Sequence, residues 1–173
     1  LVQDGIVIQD DSNYSITNLG ALLLAKNLNE FDGLSRKAVR VIIYNGSNRI
    51  NAKKEITGKK GYAVGFKGLI DWIDDQIPSN ELIEEALRVE KKMYPKLAIR
   101  EFVANALIHQ DFTETGRSPM IEIFDTRIEI TNPGSPLIDT ERFIDYPPKT
   151  RNEKLASLMR RMNICEERGS GVD

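Results

Sequence analysis

The sequence predicts an α/β fold of the α+β type, a two-layer sandwich with helices on one face of a mixed or antiparallel sheet. Three stretches carry this expectation. Residues 120–131, Met-Ile-Glu-Ile-Phe-Asp-Thr-Arg-Ile-Glu-Ile-Thr, alternate apolar and polar on both sides of Asp125-Thr126, the pattern of a β-hairpin with one buried face. Ile121, Ile123, Ile128 and Ile130 are expected to point inward. Residues 94–112 read as one helix, with Pro95 in its first turn, where no backbone donor is needed. Residues 38–44, Ala-Val-Arg-Val-Ile-Ile-Tyr, form a β-rich run closed by the turn residues Asn45-Gly46-Ser47.

The remaining elements follow in order. Residues 5–9 suggest a short strand, ended by the turn-formers Asp10 to Asn13. Thr17 or Asn18 can cap a helix through Leu19–Lys26, and Asn27 can end it. The stretch from Asn48 to Gly65 is polar, with Lys53, Lys54, Lys59 and Lys60, and reads as a solvated loop that could also meet nucleic acid. Apolar spacing from Phe66 to Ile77 predicts an amphipathic helix stopped by Pro78. Residues 80–93 are compatible with a helix capped by Asn80 or with an extended edge strand. Residues 137–151 read as irregular. Asn152 can cap a final helix through Leu155, Leu158, Met159 and Met162.

The chain has 173 residues, enough to bury a substantial core. Net charge is −2 and the pI is about 5.6, so bulk charge does not mark a nucleic-acid surface. The apolar run around Ala21–Ala25 is too short to span a bilayer, and no signal peptide is visible. A single cysteine, Cys165, excludes an internal disulfide, and a cytoplasmic location is the default expectation. The leading Leu and the terminal Gly-Ser-Gly-Val-Asp suggest a piece of a longer protein. One His and one Cys give no His/Cys metal cluster, and no Walker loop occurs, so a P-loop motor is excluded within this segment.

The helical stretch 94–112 contains the strongest chemical signal. Rotation of about 100° per residue spreads Leu97, Ile99, Phe102, Val103, Ala106 and Leu107 around most of the circumference, which predicts a largely buried helix. Yet Glu101 and Asn105 stand one turn apart on one face, with His109 a further turn on. A buried carboxylate and amide require partners, either protein groups in an internal network or a ligand with metal and water. Further along, Asn132-Pro133-Gly134 ends a strand abruptly, and Gly169-Ser170-Gly171 closes the chain.

Together these stretches resemble the GHKL nucleotide-binding fold of gyrase, Hsp90, histidine kinases and MutL. The closer resemblance is to the C-terminal module of RecG-like transcriptional regulators that follow Schlafen-type AlbA domains. It rests on Tyr94-Pro95, Ala98-Ile99-Arg100-Glu101, Asn105 to His109, Asp111, Asp125, Arg127 to Ile130, Asn132-Pro133-Gly134, Arg151-Asn152 and Glu167 to Gly171. The segment Ile16 to Leu24 also looks like the one that follows the AlbA part.

The resemblance implies ATP and Mg²⁺ as ligands. Asn105 matches the Mg²⁺-binding amide, and Glu101 matches the catalytic carboxylate that orients or deprotonates water. Asn132 stands where the wider fold has an acid that receives adenine. Gly134 matches a glycine under the base. Gly169 and Gly171 match glycines beside the phosphates, with residues 137–168 as a lid. The expected organisation is a lead-in over residues 1–92 docked on a GHKL-like core over 93–173, truncated at its C-terminus. His109-Gln110-Asp111-Phe112 departs from the family's His-Arg-Asp-Tyr. Implied partners are a nucleotide, DNA through a flanking domain, and a second copy as a candidate homodimer, with no membrane. The alternative is a nucleotide-free structural or dimerising module of the same regulators. Direct nucleic-acid binding through Lys53–Lys60 or Lys149–Arg161 is a third reading.

Overall fold

The computed structural model describes residues 1–84, 87–137 and 149–165. In chain order the elements are β1 (Val7–Asp10), β2 (Asn13–Ile16), α1 (Asn18–Leu24), β3 (Arg40–Tyr44), β4 (Ala52–Thr57), α2 (Tyr62–Gln76), β5 (Ser79–Glu84), β6 (Leu87–Lys92), α3 (Lys96–His109), β7 (Met120–Ile123), β8 (Ile128–Thr131) and α4 (Glu153–Arg161). The main sheet has the order β4-β3-β7-β8. The β3–β7 pair is parallel and the β3–β4 and β7–β8 pairs are antiparallel, so the sheet is mixed. β1–β2 and β5–β6 form two separate antiparallel hairpins.

The helices share one face of this sheet. Val41, Ile43, Ile121 and Ile123 meet Phe66, Ile70 and Ile73 of α2, Ile99, Val103 and Leu107 of α3, and Leu155, Leu158 and Met159 of α4 in one core. Ile128 and Ile130 pack against it half-buried, opposite Ile123 and Ile121 in register. This is the expected mixed sandwich. No helix among the described residues is long and apolar enough to cross a membrane.

Local chemistry explains the element ends. Thr17 caps α1 by accepting from the Gly20 amide at 3.0 Å, and its hydroxyl donates to the Gly5 carbonyl at 2.6 Å. Gly20 passes against the Ile6 carbonyl with no room for a side chain. α4 ends in a Schellman arrangement. Asn163 takes φ +55° while its amide donates to Arg160 and the Ile164 amide donates to Met159.

Several expectations need correction. The lysine-rich stretch is not a loop throughout. Ala52–Thr57 forms edge strand β4, paired with β3 and largely exposed, where charged side chains guard a free edge. α2 begins at Tyr62, four residues before the expected start. The ambiguous 80–93 stretch resolves into β5 and β6. α1 stops at Leu24, and Asn27 caps a short 3₁₀ turn over Leu28–Glu30 instead of ending the helix. α3 is narrower in its buried face than expected, since Leu97 and Phe102 are exposed. It also ends at His109, because Gln110 turns extended at ψ 148°. Pro95 sits at the cap position, just before the first turn.

The hairpin of β7 and β8 is covered on more than one face. Glu122 and Phe124 are each 1% exposed. Phe124 stacks on Tyr44 at 4.9 Å, and Glu122 accepts from Arg49 at 2.6 and 2.8 Å and from the Tyr44 hydroxyl at 3.2 Å. Strand alternation missed this second layer because its cover comes from Tyr44 and Arg49, more than 70 residues earlier.

Candidate functional site

α3 carries Glu101 and Asn105 on one stripe, as its periodicity requires. Glu101 is buried and Asn105 half-buried. Glu101 acts electrostatically on the chain leaving α4. Its charge, after burial, is the next cause that pushes the Cys165 thiol upward in pKa. The neighbouring Arg100 guanidinium donates to the Asn163 carbonyl at the end of α4. His109, at the C-terminal end of the stripe, is half-buried. Burial first, and then the positive charge of Arg151, pushes its pKa below the ordinary value.

The end of α3 meets the Asn-Pro-Gly turn in a tight junction. The Asp111 amide donates to the Pro133 carbonyl at 2.8 Å. The Asp111 carboxylate accepts from the Thr113 hydroxyl at 2.6 Å, the Thr113 amide at 2.9 Å and Arg151 Nη1 at 3.0 Å. Its pKa is lowered by the Thr113 bonds first, and Arg151 adds to them. Arg151 also donates to the Ser135 carbonyl, which ties the segment before α4 to the residue after Gly134. Gly134 takes φ +108°, and a Cβ placed on it would come 2.7 Å from Asp111 Cβ. Its requirement for glycine therefore has a cause within the protein.

Asn152 corrects another expectation. It occupies the position before α4 but makes no side-chain cap there. Its amide instead donates to the carbonyls of Ile108 at 2.6 Å and Gln110 at 2.8 Å, satisfying orphan acceptors at the end of α3. Gln110 is fully buried, and its amide nitrogen donates to the Tyr62 hydroxyl and to the Leu107 carbonyl. The Tyr62 hydroxyl donates to the Lys37 carbonyl at 2.7 Å, and burial raises its pKa strongly. The departure at position 110 thus closes a buried chain of hydrogen bonds.

Of the six expected site residues, four are described. Glu101 and Asn105 share the stripe on α3. Asn132 is half-buried just after β8, and among the described residues its amide makes a long 3.4 Å bond to the Pro133 carbonyl. Gly134 packs on Asp111. Gly169 and Gly171 lie outside the described residues. Among the described residues no group of three or more His, Cys, Asp and Glu is placed to hold a metal ion. The donor chemistry suits a magnesium–nucleotide in kind, with a buried carboxylate beside a half-buried amide oxygen. A cavity of about 730 Å³ lies elsewhere, and none of the four described site residues lines it.

Sequence reading missed the structural roles of Gln110, Asp111, Arg151 and Asn152. Asp111, Arg151 and Asn152 carried a signal, since the resemblance includes them. It gave no hint that they bind one another across 40 residues of chain.

Residues 116–173 match the family model HATPase_c_4, described as "Putative ATP-dependent DNA helicase recG C-terminal". The match begins after α3, so Glu101 and Asn105 precede it. No curated protein matches the chain. The fold is similar to that of the DIP2311 protein from Corynebacterium diphtheriae, with a TM-score of 0.74 over 94% of this chain at 21% identity. The chain spans 32% of the length of that protein. The fold is a mixed α+β sandwich consistent with the GHKL/HATPase type, and its C-terminal third is similar to the C-terminal part of the recG family.

Proposed function

We propose that this chain is an ATP-binding, GHKL-like module of a transcriptional regulator, with residues 93–173 as its nucleotide-binding core and residues 1–92 docked on it. The observation that carries the reading is the match of residues 116–173 to an ATPase-type family model, immediately after a helix bearing Glu101 and Asn105 one turn apart. In this reading the Asn105 amide oxygen holds Mg²⁺ together with the phosphates. Glu101 orients water for slow hydrolysis. Asn132 and Gly134 meet the base, and Gly169 and Gly171 meet the phosphates. The bound metal would neutralise phosphate charge. DNA is contacted by a flanking domain of the Schlafen AlbA type, and the regulator works in the cytoplasm.

Calorimetric titration of ATP with Mg²⁺ tests this. The parent chain binds, chelating the metal weakens binding, and Asn105→Ala loses about tenfold or more in affinity. Glu101→Gln keeps binding and loses hydrolysis. Equal binding by Asn105→Ala and the parent would sink the assignment.

The second reading is a nucleotide-free structural or dimerising module. The Asp111–Gly134–Arg151–Asn152 junction favours it, because it accounts for those motif residues through contacts within the protein. It expects no heat of ATP binding at any Mg²⁺ concentration, together with a dimer in sedimentation equilibrium.

A further inference from the structure

The cavity of about 730 Å³ falls within the ~300–1,000 Å³ range usual for small-molecule sites. It opens between α1, the 32–37 segment, the loop after α3 and the start of α4. Its walls are apolar, formed by Leu19, Leu22, Leu34, Phe112 and Leu155. Its polar margin is predominantly basic: Arg36, Lys37, Arg151 and Lys154 line it, against Asp32 and Glu153.

Three features of the lining favour an anion. Lys37 is 5% exposed, and its ammonium donates to the Phe112 carbonyl at 3.0 Å and the Glu114 carbonyl at 2.7 Å. An ammonium carries three donors, so a third remains among the described residues. Arg151 Nε is buried and has no partner among the described residues. The first turn of α4 also lines the cavity without a side-chain cap, because Asn152 is turned onto α3. Among the described residues no side-chain oxygen caps its amides or the positive end of the helix dipole.

We propose that this cavity binds a small organic anion with an apolar body, an aromatic or branched aliphatic carboxylate. The apolar walls take the body, and Arg36, Lys37 and the start of α4 take the carboxylate. The site includes none of Glu101, Asn105, Asn132 and Gly134, and it shares with the nucleotide reading only Arg151–Leu155 of the expected lid segment.

The probe is 4-phenylbutyrate, compared with its neutral amide, titrated into the ¹⁵N-labelled chain and followed by amide shifts. The acid produces saturating shifts at Gly33, Ser35, Gly116 and Leu155, and binds about tenfold more tightly than the amide. Arg36→Glu and Thr115→Glu change exposed positions that make no hydrogen bond among those described, so the fold is retained. Each weakens the acid by about tenfold and leaves the amide unchanged. Equal affinity for acid and amide overturns the proposal. So do shifts centred away from these residues, or no saturable response to the acid up to about 10 mM, where specific binding of about 3 kcal/mol would still be seen.

Discussion

Gly134→Ala separates an internal role of the Asn-Pro-Gly turn from a ligand-facing one. The native residue sits at φ +108°, where an L side chain is strained. Holding alanine there costs about 1–2 kcal/mol. The new Cβ would also lie 2.7 Å from Asp111 Cβ and 3.4 Å from the Asp111 amide nitrogen. Carbon pairs favour about 3.5–4.0 Å, so the turn must move away from α3, which costs about 1–3 kcal/mol more. The expected loss is about 2–5 kcal/mol, read from urea unfolding at constant m-value. Asp111→Gly removes the obstructing atom. A double-mutant cycle should therefore show relief of about 1–2 kcal/mol on combining the two. A variant within about 0.5 kcal/mol of the parent, or a cycle without coupling, would refute the reasoning. A stable Gly134→Ala protein that lost only nucleotide affinity would place the glycine under a ligand.

Asn152→Ala should cost about 1–2 kcal/mol by uncapping the Ile108 and Gln110 carbonyls, and Asn152→Asp more, since a carboxylate repels them; equal stability of all three in thermal unfolding would contradict this. His109 is the chain's single histidine, so its ring protons identify themselves in NMR. Its titration should fall below 6.5, and a value at or above that would oppose the burial argument. Folding favours its neutral form, so the associated stability is full above 6.5 and is lost as pH falls through the folded value. Arg49 holds the Glu122 carboxyl below its ordinary range. That stability is present above about 4.5 and is lost as pH falls through the lowered value, so Glu122→Gln should flatten the acid limb of stability against pH; an unchanged limb would count against the pair.

The fold class was legible because its signals are local. The Ile121–Ile130 alternation and the apolar run of 38–44 report directly on strands, and Thr17 reports on its helix. The parallel pairing of β3 with β7 was not legible, since 80 residues separate the partners and nothing local encodes it. β4 was hidden because an exposed edge strand needs lysine and glutamate, which also suit a loop. α3 appeared longer than it is because Gln110, Asp111 and Phe112 are acceptable in a helix. What stops it is tertiary: Tyr62 receives Gln110, and Pro133 receives the Asp111 amide. The candidate site divides in the same way. Glu101 and Asn105 are related by helical spacing and could be read as a pair. The Asp111–Arg151 pair and the Asn152 cap join distant segments, which only the tertiary fold brings together.

The nucleotide reading is tested most directly by titrating ATP with Mg²⁺ into the ¹⁵N-labelled chain and mapping the amide and side-chain shifts. The account predicts saturating shifts at Asn105, Asn132, Gly134, Gly169 and Gly171, abolished in Asn105→Ala, with Ser35 and Gly116 of the separate cavity unmoved. Saturating shifts confined to that cavity, or none at all, would contradict it and leave the junction at Gly134 as structure alone.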